Sequence, residues 1–212
     1  MLSEIEKHFG AIERKVISHD KDGEPLRSVV LSRVYKTTIE DLWDAVTNKE
    51  RLPRWFAVVD GELKPGGRFQ VEGNAGGKII DCTPPEAFSI TWEFSEDVSW
   101  IEVSFEALSS SSARLTLNHK TKLSTHWAQY GPAATGVGWE LGLLGLDLYV
   151  TQPETAKMDE EKFAASIEGK AFIRGCSGGW ADAAIRAGEA TEQARNAAAR
   201  TADFYTGEAG DN

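Results

Sequence analysis

Between Arg68 and Lys120 the chain alternates apolar and polar residues in one segment after another, and no other feature constrains the fold as tightly. Phe69 and Val71 alternate with Arg68, Gln70 and Glu72. Phe88, Ile90, Trp92 and Phe94 alternate with Ser89, Thr91, Glu93 and Ser95. Ile101, Val103 and Phe105 alternate with Glu102, Ser104 and Glu106, and Leu115, Leu117 and His119 with Arg114, Thr116 and Asn118. Successive side chains of a strand point to opposite faces, so each segment has one buried face and one wet face. Lys78–Cys82 adds a short apolar strand, and turns fall at Lys64–Gly67, Asn74–Gly77, Pro84-Pro85 and Ser109–Ser112. Neighbouring segments of this kind make an antiparallel meander.

The flanks read differently. Ala11–Ser18 and Leu26–Lys36, on either side of an Asp-Gly turn, predict a hairpin. Thr38 is placed to cap a helix starting at Ile39, with Asp41 in the position of a capping-box acid, and a helical turn follows that Pro53 breaks. From Pro132 the period becomes helical. Val137, Leu141, Leu144 and Leu148 form one stripe, Trp139, Leu143, Leu146 and Val150 a second, and Gly138, Gly142 and Gly145 a third, with only Glu140 and Asp147 charged. A helix apolar nearly all round must be covered on more than one side. Asp159–Ile173 predicts a further helix, Arg174–Gly179 a break with Cys176 exposed in it, and Trp180–Tyr205 a long alanine-rich helix. Its alanine face is expected to pack on the glycine stripe, within the chain or on a second subunit. The expected division is a domain over residues 1–152, a helical extension over 153–206 and a disordered tail over 207–212.

The order of strand, short helices, meander and long helix is that of the helix-grip architecture, an α+β class with a curved antiparallel sheet wrapped around a long C-terminal helix. The strings RVYKTTIEDLWDAVTNKERLPRWF, LKPGGRFQVEG, CTPPEAFSITWEF, LTLNHK and GVGWELGLLGL resemble, in order and spacing, motifs of the activator of heat-shock protein 90 ATPase homologue-like family. That family lies within the START/SRPBCC (Bet v 1-like) superfamily. The resemblance covers about Gly10 to Val150, and the residues after it fall outside. It implies a pocket between sheet and final helix, often for a hydrophobic small molecule. No counterpart of the eukaryotic activator's separate chaperone-binding domain is expected, and some superfamily members are enzymes.

Composition narrows the functions. Lysine and arginine number 23 against 33 acids, a net charge of −10, which disfavours nucleic acid and anionic membrane surfaces as partners. No apolar run approaches the length of a membrane span, and the first ten residues carry acids rather than a signal core, so a cytoplasmic location is expected. Cys82 and Cys176 form no CxxC pair, and Cys82 is expected to be an inert buried thiol. None of His8, His19, His119 and His126 has metal-ligand spacing, and no Walker loop or GxSxG elbow occurs, so no metal or cofactor is expected. The candidate ligand-binding residues are Phe69, Trp92, Phe105, His119, Trp139 and Leu143, all on expected interior faces. His119 reads either as a ligand contact or as a core histidine bonded to backbone or to a helix residue. Glu140 reads either as its partner or as solvent-facing. The leading function is a non-enzymatic module for a small hydrophobic ligand. The alternatives are a protein-interaction or chaperone-related module and a cyclase- or hydrolase-like enzyme. A homodimer through the C-terminal helices is a further expectation.

Overall fold

A computed structural model of the chain describes residues 8–21 and 23–208. Eight strands form one sheet: β1 (Ile12–Lys21), β2 (Glu24–Tyr35), β3 (Val59–Gly61), β4 (Arg68–Val71), β5 (Gly76–Thr83), β6 (Ala87–Phe94), β7 (Asp97–Ser109) and β8 (Ser112–Lys122). Their order across the sheet is β1-β2-β8-β7-β6-β5-β4-β3, and the pairings from β3 to β8 are antiparallel. The helices are α1 (Ile39–Thr47), α2 (Thr125–Tyr130), α3 (Ala133–Thr151), α4 (Glu160–Ala165), α5 (Ile167–Arg186) and α6 (Thr191–Thr206), with a 3-10 turn at Leu52–Arg54. This is the α+β helix-grip class, with a helical extension at its C-terminus. β3 and α2 escape the periodicity argument, since three and six residues are too few to display a period. The last four residues of the expected disordered tail lie outside the described residues.

The chain packs as two compact units. Among the described residues, one holds those up to Leu31, 122–141 and those from Met158 to Glu208; the other holds 32–121 and 142–157. In the second unit the alternation has the expected consequence. β7 and β8 pair Ile101 with His119, Val103 with Leu117 and Phe105 with Leu115, and all six are buried. On the other face Asn118 donates to Glu102 and Arg114 to Glu106, each at 3.1 Å. Thr38 caps α1 as its sequence position predicts, its hydroxyl accepting from the Asp41 N–H at 3.2 Å. Asp41 does not complete a capping box; its carboxylate accepts from Thr37 at 2.5 Å and from Arg51 at 2.9 Å.

In the first unit the helix boundaries correct the sequence reading. α5 runs straight through Gly175–Gly179, and the chain turns instead at Gly188, whose φ of +99° suits glycine. The glycines inside α5 admit close neighbours. A Cβ on Gly175 would lie 2.2 Å from the Phe9 ring, and one on Gly179 would lie 3.1 Å from the Arg14 side chain. The alanine face therefore folds on itself: Ala181 and Ala184 of α5 pack on Ala194 and Ala198 of α6. Of the glycine stripe only Gly138 meets the extension, at the Tyr205 hydroxyl. Gly145 faces the Trp55 carbonyl in the second unit, and Gly142 faces open space.

A close helix approach within the first unit falls at Gly136, where a Cβ would lie 2.1 Å from the fully buried indole of Trp180. Glycine in a helix interior costs about 1 kcal/mol against alanine, so Gly→Ala ordinarily stabilises. Gly136→Ala should instead destabilise by about 1–2 kcal/mol through overpacking, while Gly142→Ala, with nothing within 4 Å, should stabilise by up to about 1 kcal/mol. Urea melts of the two variants should move in opposite directions; a shift of the same sign in both would contradict this packing.

Candidate ligand-binding face

A row of residues crosses the second unit's sheet from β4 to β8. β4 sets Phe69 opposite Gly77 on β5. Only a glycine fits there, because a Cβ would sit 2.0 Å from the Thr91 carbonyl oxygen and 2.9 Å from the Phe69 ring. The Phe69 ring reaches Trp92 on β6, with ring centroids 6.3 Å apart. Trp92 pairs with Ser99 on β7, and the Ser99 hydroxyl donates to the Trp92 carbonyl at 3.1 Å. The same hydroxyl oxygen lies 2.8 Å from His119 Nε2. A serine hydroxyl has one proton. With that proton on the carbonyl, His119 donates through Nε2 and Ser99 accepts.

Burial pulls the His119 imidazole down to about pKa 4, so it is neutral at pH 7. Phe105 stands apart from this row, in an aromatic group with Trp43 at 5.3 Å and Phe88 at 6.3 Å. Register puts Phe88, Ile90 and Trp92 on the same face as Val103, Ile101 and Ser99. Leu143 is buried on α3, and its carbonyl accepts from the Tyr35 hydroxyl at 3.3 Å. Burial raises the Tyr35 pKa, so that hydroxyl keeps its proton. Trp139 is half-buried and lies on the part of α3 that belongs to the first unit.

The first unit holds a polar cluster that sequence reasoning missed. Glu140 is neither His119's partner nor solvent-facing; it is wholly buried. One carboxylate oxygen accepts from Arg14 Nε at 2.8 Å and from Trp180 Nε1 at 2.7 Å. The other accepts from Arg14 Nη2 at 2.5 Å and from the Cys176 thiol at 3.1 Å, with His8 Nε2 at 3.7 Å. Burial alone would push this carboxyl up, but the nearby His8 and the bonds from Arg14 outweigh burial and hold it below the ordinary carboxylate value. Cys176 is buried rather than exposed, and burial followed by the Glu140 charge raises its pKa well above a free thiol. Cys82 is half-buried rather than buried, and both thiols are free. An acid on a helix otherwise apolar around it was the available signal for this cluster. Its cation is 126 positions away in sequence, and nothing local points to it.

Among the described residues, no group of three or more His, Cys, Asp or Glu side chains is arranged to hold a metal ion. No described helix is long and apolar enough to cross a membrane.

Sheet, helices and their order define a helix-grip domain of the START/SRPBCC superfamily. Residues 36–151 match the family model of activator of Hsp90 ATPase homolog 1-like proteins, and the chain belongs to that family. Its members and neighbours make it a ligand-binding or interaction module. The chain is similar to CalU16 from Micromonospora echinospora. The crystal structure of CalU16 shares 26% identity over 82% of this chain and 99% of that one, with a TM-score of 0.67. Its solution structure shares 25% identity over 84% and 97%, with a TM-score of 0.70. The Aha1 dimer from Colwellia psychrerythraea shares the fold at 14% identity, over 60% of this chain and 98% of that one, with a TM-score of 0.52. No curated protein matches the chain.

His119 gives the face a pH signature. The unfolded chain takes up its proton near pH 6.5 and the folded chain only near pH 4. Stability from the neutral imidazole is therefore full above pH 6.5 and is lost as pH falls towards 4. His119→Gln should remove about 2 kcal/mol of the stability lost by the wild type between pH 7 and pH 5. Urea midpoints at the two pH values measure it, and equal losses in both proteins would refute the assignment.

Proposed function

We propose that the chain binds a small, mainly apolar molecule on the sheet face of its second unit, as a binding module rather than a catalyst. The observation that carries this reading is β6. It is an inner strand of the sheet, yet Phe88, Ile90 and Trp92 on its apolar face are each only half-buried. Large aromatics left partly uncovered inside a sheet are what a ligand face requires. Gly142 adds support: it is buried, but a Cβ there would meet no atom within 4 Å. The proposed contacts are Phe69, Trp92, Phe105, His119 and Leu143, with the polar part of the ligand towards Ser99 and His119. On this face the Ser99 proton is spent on a carbonyl and the His119 Nε2 proton on Ser99, which favours recognition over acid–base chemistry.

Native mass spectrometry of the purified protein should show a co-purified small molecule. A fluorescent apolar probe should then bind with an affinity reduced about tenfold or more by Trp92→Ala, and also by Gly142→Leu, which fills the open space. Absence of probe binding to the wild type, or full binding to both variants, would overturn the reading.

The interaction reading has its own observation in Phe94 and Val98, exposed together at the β6–β7 turn. For a homodimer through the C-terminal helices the support is Ile167, 86% exposed on α5, and Phe204, 62% exposed on α6. Sedimentation of the wild type against Ile167→Glu/Phe204→Glu tests it: a dimer lost in the variant is expected, and a monomeric wild type rejects it.

A further inference from the structure

We propose that the helical extension α5–α6 is a strap held to β1 and α3 through one latch, the Glu140 carboxylate, and that it detaches as a unit when that carboxylate loses its charge. The inference concerns the first unit alone and does not depend on what the sheet face binds.

The side chains facing Glu140 come from three places. His8 precedes β1, Arg14 lies on β1, and Cys176 and Trp180 lie on α5. Arg186, near the end of α5, reaches the Arg14 backbone carbonyl at 3.5 Å. Glu140 is the carboxylate that meets Arg14, whose side chain is 10% exposed against 0% for Glu140. Neutralising the acid leaves a buried guanidinium without its anion, the most damaging way to break a buried pair. The penalty falls where α5 meets β1 and α3, because the same carboxylate also accepts from Trp180, the side chain seated against Gly136.

The strap has the means to leave as one piece. α5 and α6 are joined to each other by their own alanine seam. Away from the latch, α6 is tied back by the Tyr130–Phe204 ring contact, centroids 5.9 Å apart, and by single hydrogen bonds from side-chain donors to backbone carbonyls. Tyr205 donates to the Ala134 carbonyl at 2.8 Å, Thr201 to that of Tyr130 at 3.1 Å, and Arg200 to that of Gln129 at 2.7 Å. Such bonds contribute little net stability apiece. The direction with pH follows from the held-down carboxyl: docking is stabilised above the ordinary carboxylate range and lost as pH falls through the folded value.

Hydrogen exchange on the full-length protein tests this at pH 7, where Glu140→Gln mimics the neutral acid. Amides of residues 167–206 should exchange at least about a hundredfold faster in the variant, while those of β6 to β8 stay within about threefold of wild type. Arg14→Met/Glu140→Met removes both charges together and should bring 167–206 back to within about tenfold of wild type. Three results would overturn the proposal. These are unchanged exchange of 167–206 in Glu140→Gln, equal acceleration of the strap and of β6 to β8, or a double variant as open as the single one.

Discussion

The two acids of α3 impose the strongest constraint on this chain. A helix otherwise apolar on every side carries Glu140 and Asp147, seven residues and two turns apart, hence on one side of the helix. Each meets an arginine from one of the first two strands: Arg14 of β1 at 2.5 Å in the first unit, and Arg33 of β2 at 2.6 Å in the second. Burying the Glu140 charge alone would cost several kcal/mol. A helix with no polar face has little else to fix its rotation, since hydrophobic burial is non-directional. The two ion pairs supply that direction, and the hydroxyl of Tyr35 on the Leu143 carbonyl adds a third fixed point between them in sequence.

Glycines do the complementary work of letting elements approach. Gly136 receives Trp180, Gly175 receives Phe9, Gly179 receives Arg14, and Gly77 lets the Phe69 ring cross β5. Three of these four contacts bring the extension or the N-terminal segment against a helix. They place Trp180 and Arg14 where both can reach the same carboxylate. Close packing and the buried charge are thus one arrangement, because a Cβ at Gly136 would displace the indole that donates to Glu140.

What could be read in the sequence, and what could not, follows from the range of the forces involved. The meander was legible because strand periodicity is local: Ile101, Val103 and Phe105 declare their face within five residues, and their partners Leu117 and Leu115 do the same. The Thr38 cap was legible for the same reason. The extension was misread because glycine signals two opposite things. At Gly188 it ends a helix through a positive φ, while at Gly175 and Gly179 it sits inside a helix to admit a neighbour. No local rule separates the cases when the neighbour, Phe9 or Arg14, lies more than 160 residues away. The same distance problem hid Glu140's partners and made Cys176 read as exposed.

The candidate face lies between these extremes. Alternation placed His119 inward but could not name its partner, although a signal existed. Ser99 holds the same phase of β7 as Ile101, Val103 and Phe105, so it is a polar residue on the apolar side of its strand. One strand over, His119 interrupts the apolar phase of Leu115 and Leu117. Two polar interruptions near the same end of adjacent antiparallel strands must lie close together, as their 2.8 Å contact bears out. The face is consequently graded, from the aromatic group of Trp43, Phe88 and Phe105 at one end to a neutral hydroxyl–imidazole pair at the other. Neither end carries a charge at neutral pH, since His119 takes up its second, charging proton only near pH 4 and below. A molecule matched to that gradient is apolar over most of its length and polar without charge at one end, because a buried charge would find no counter-charge in the Ser99–His119 pair.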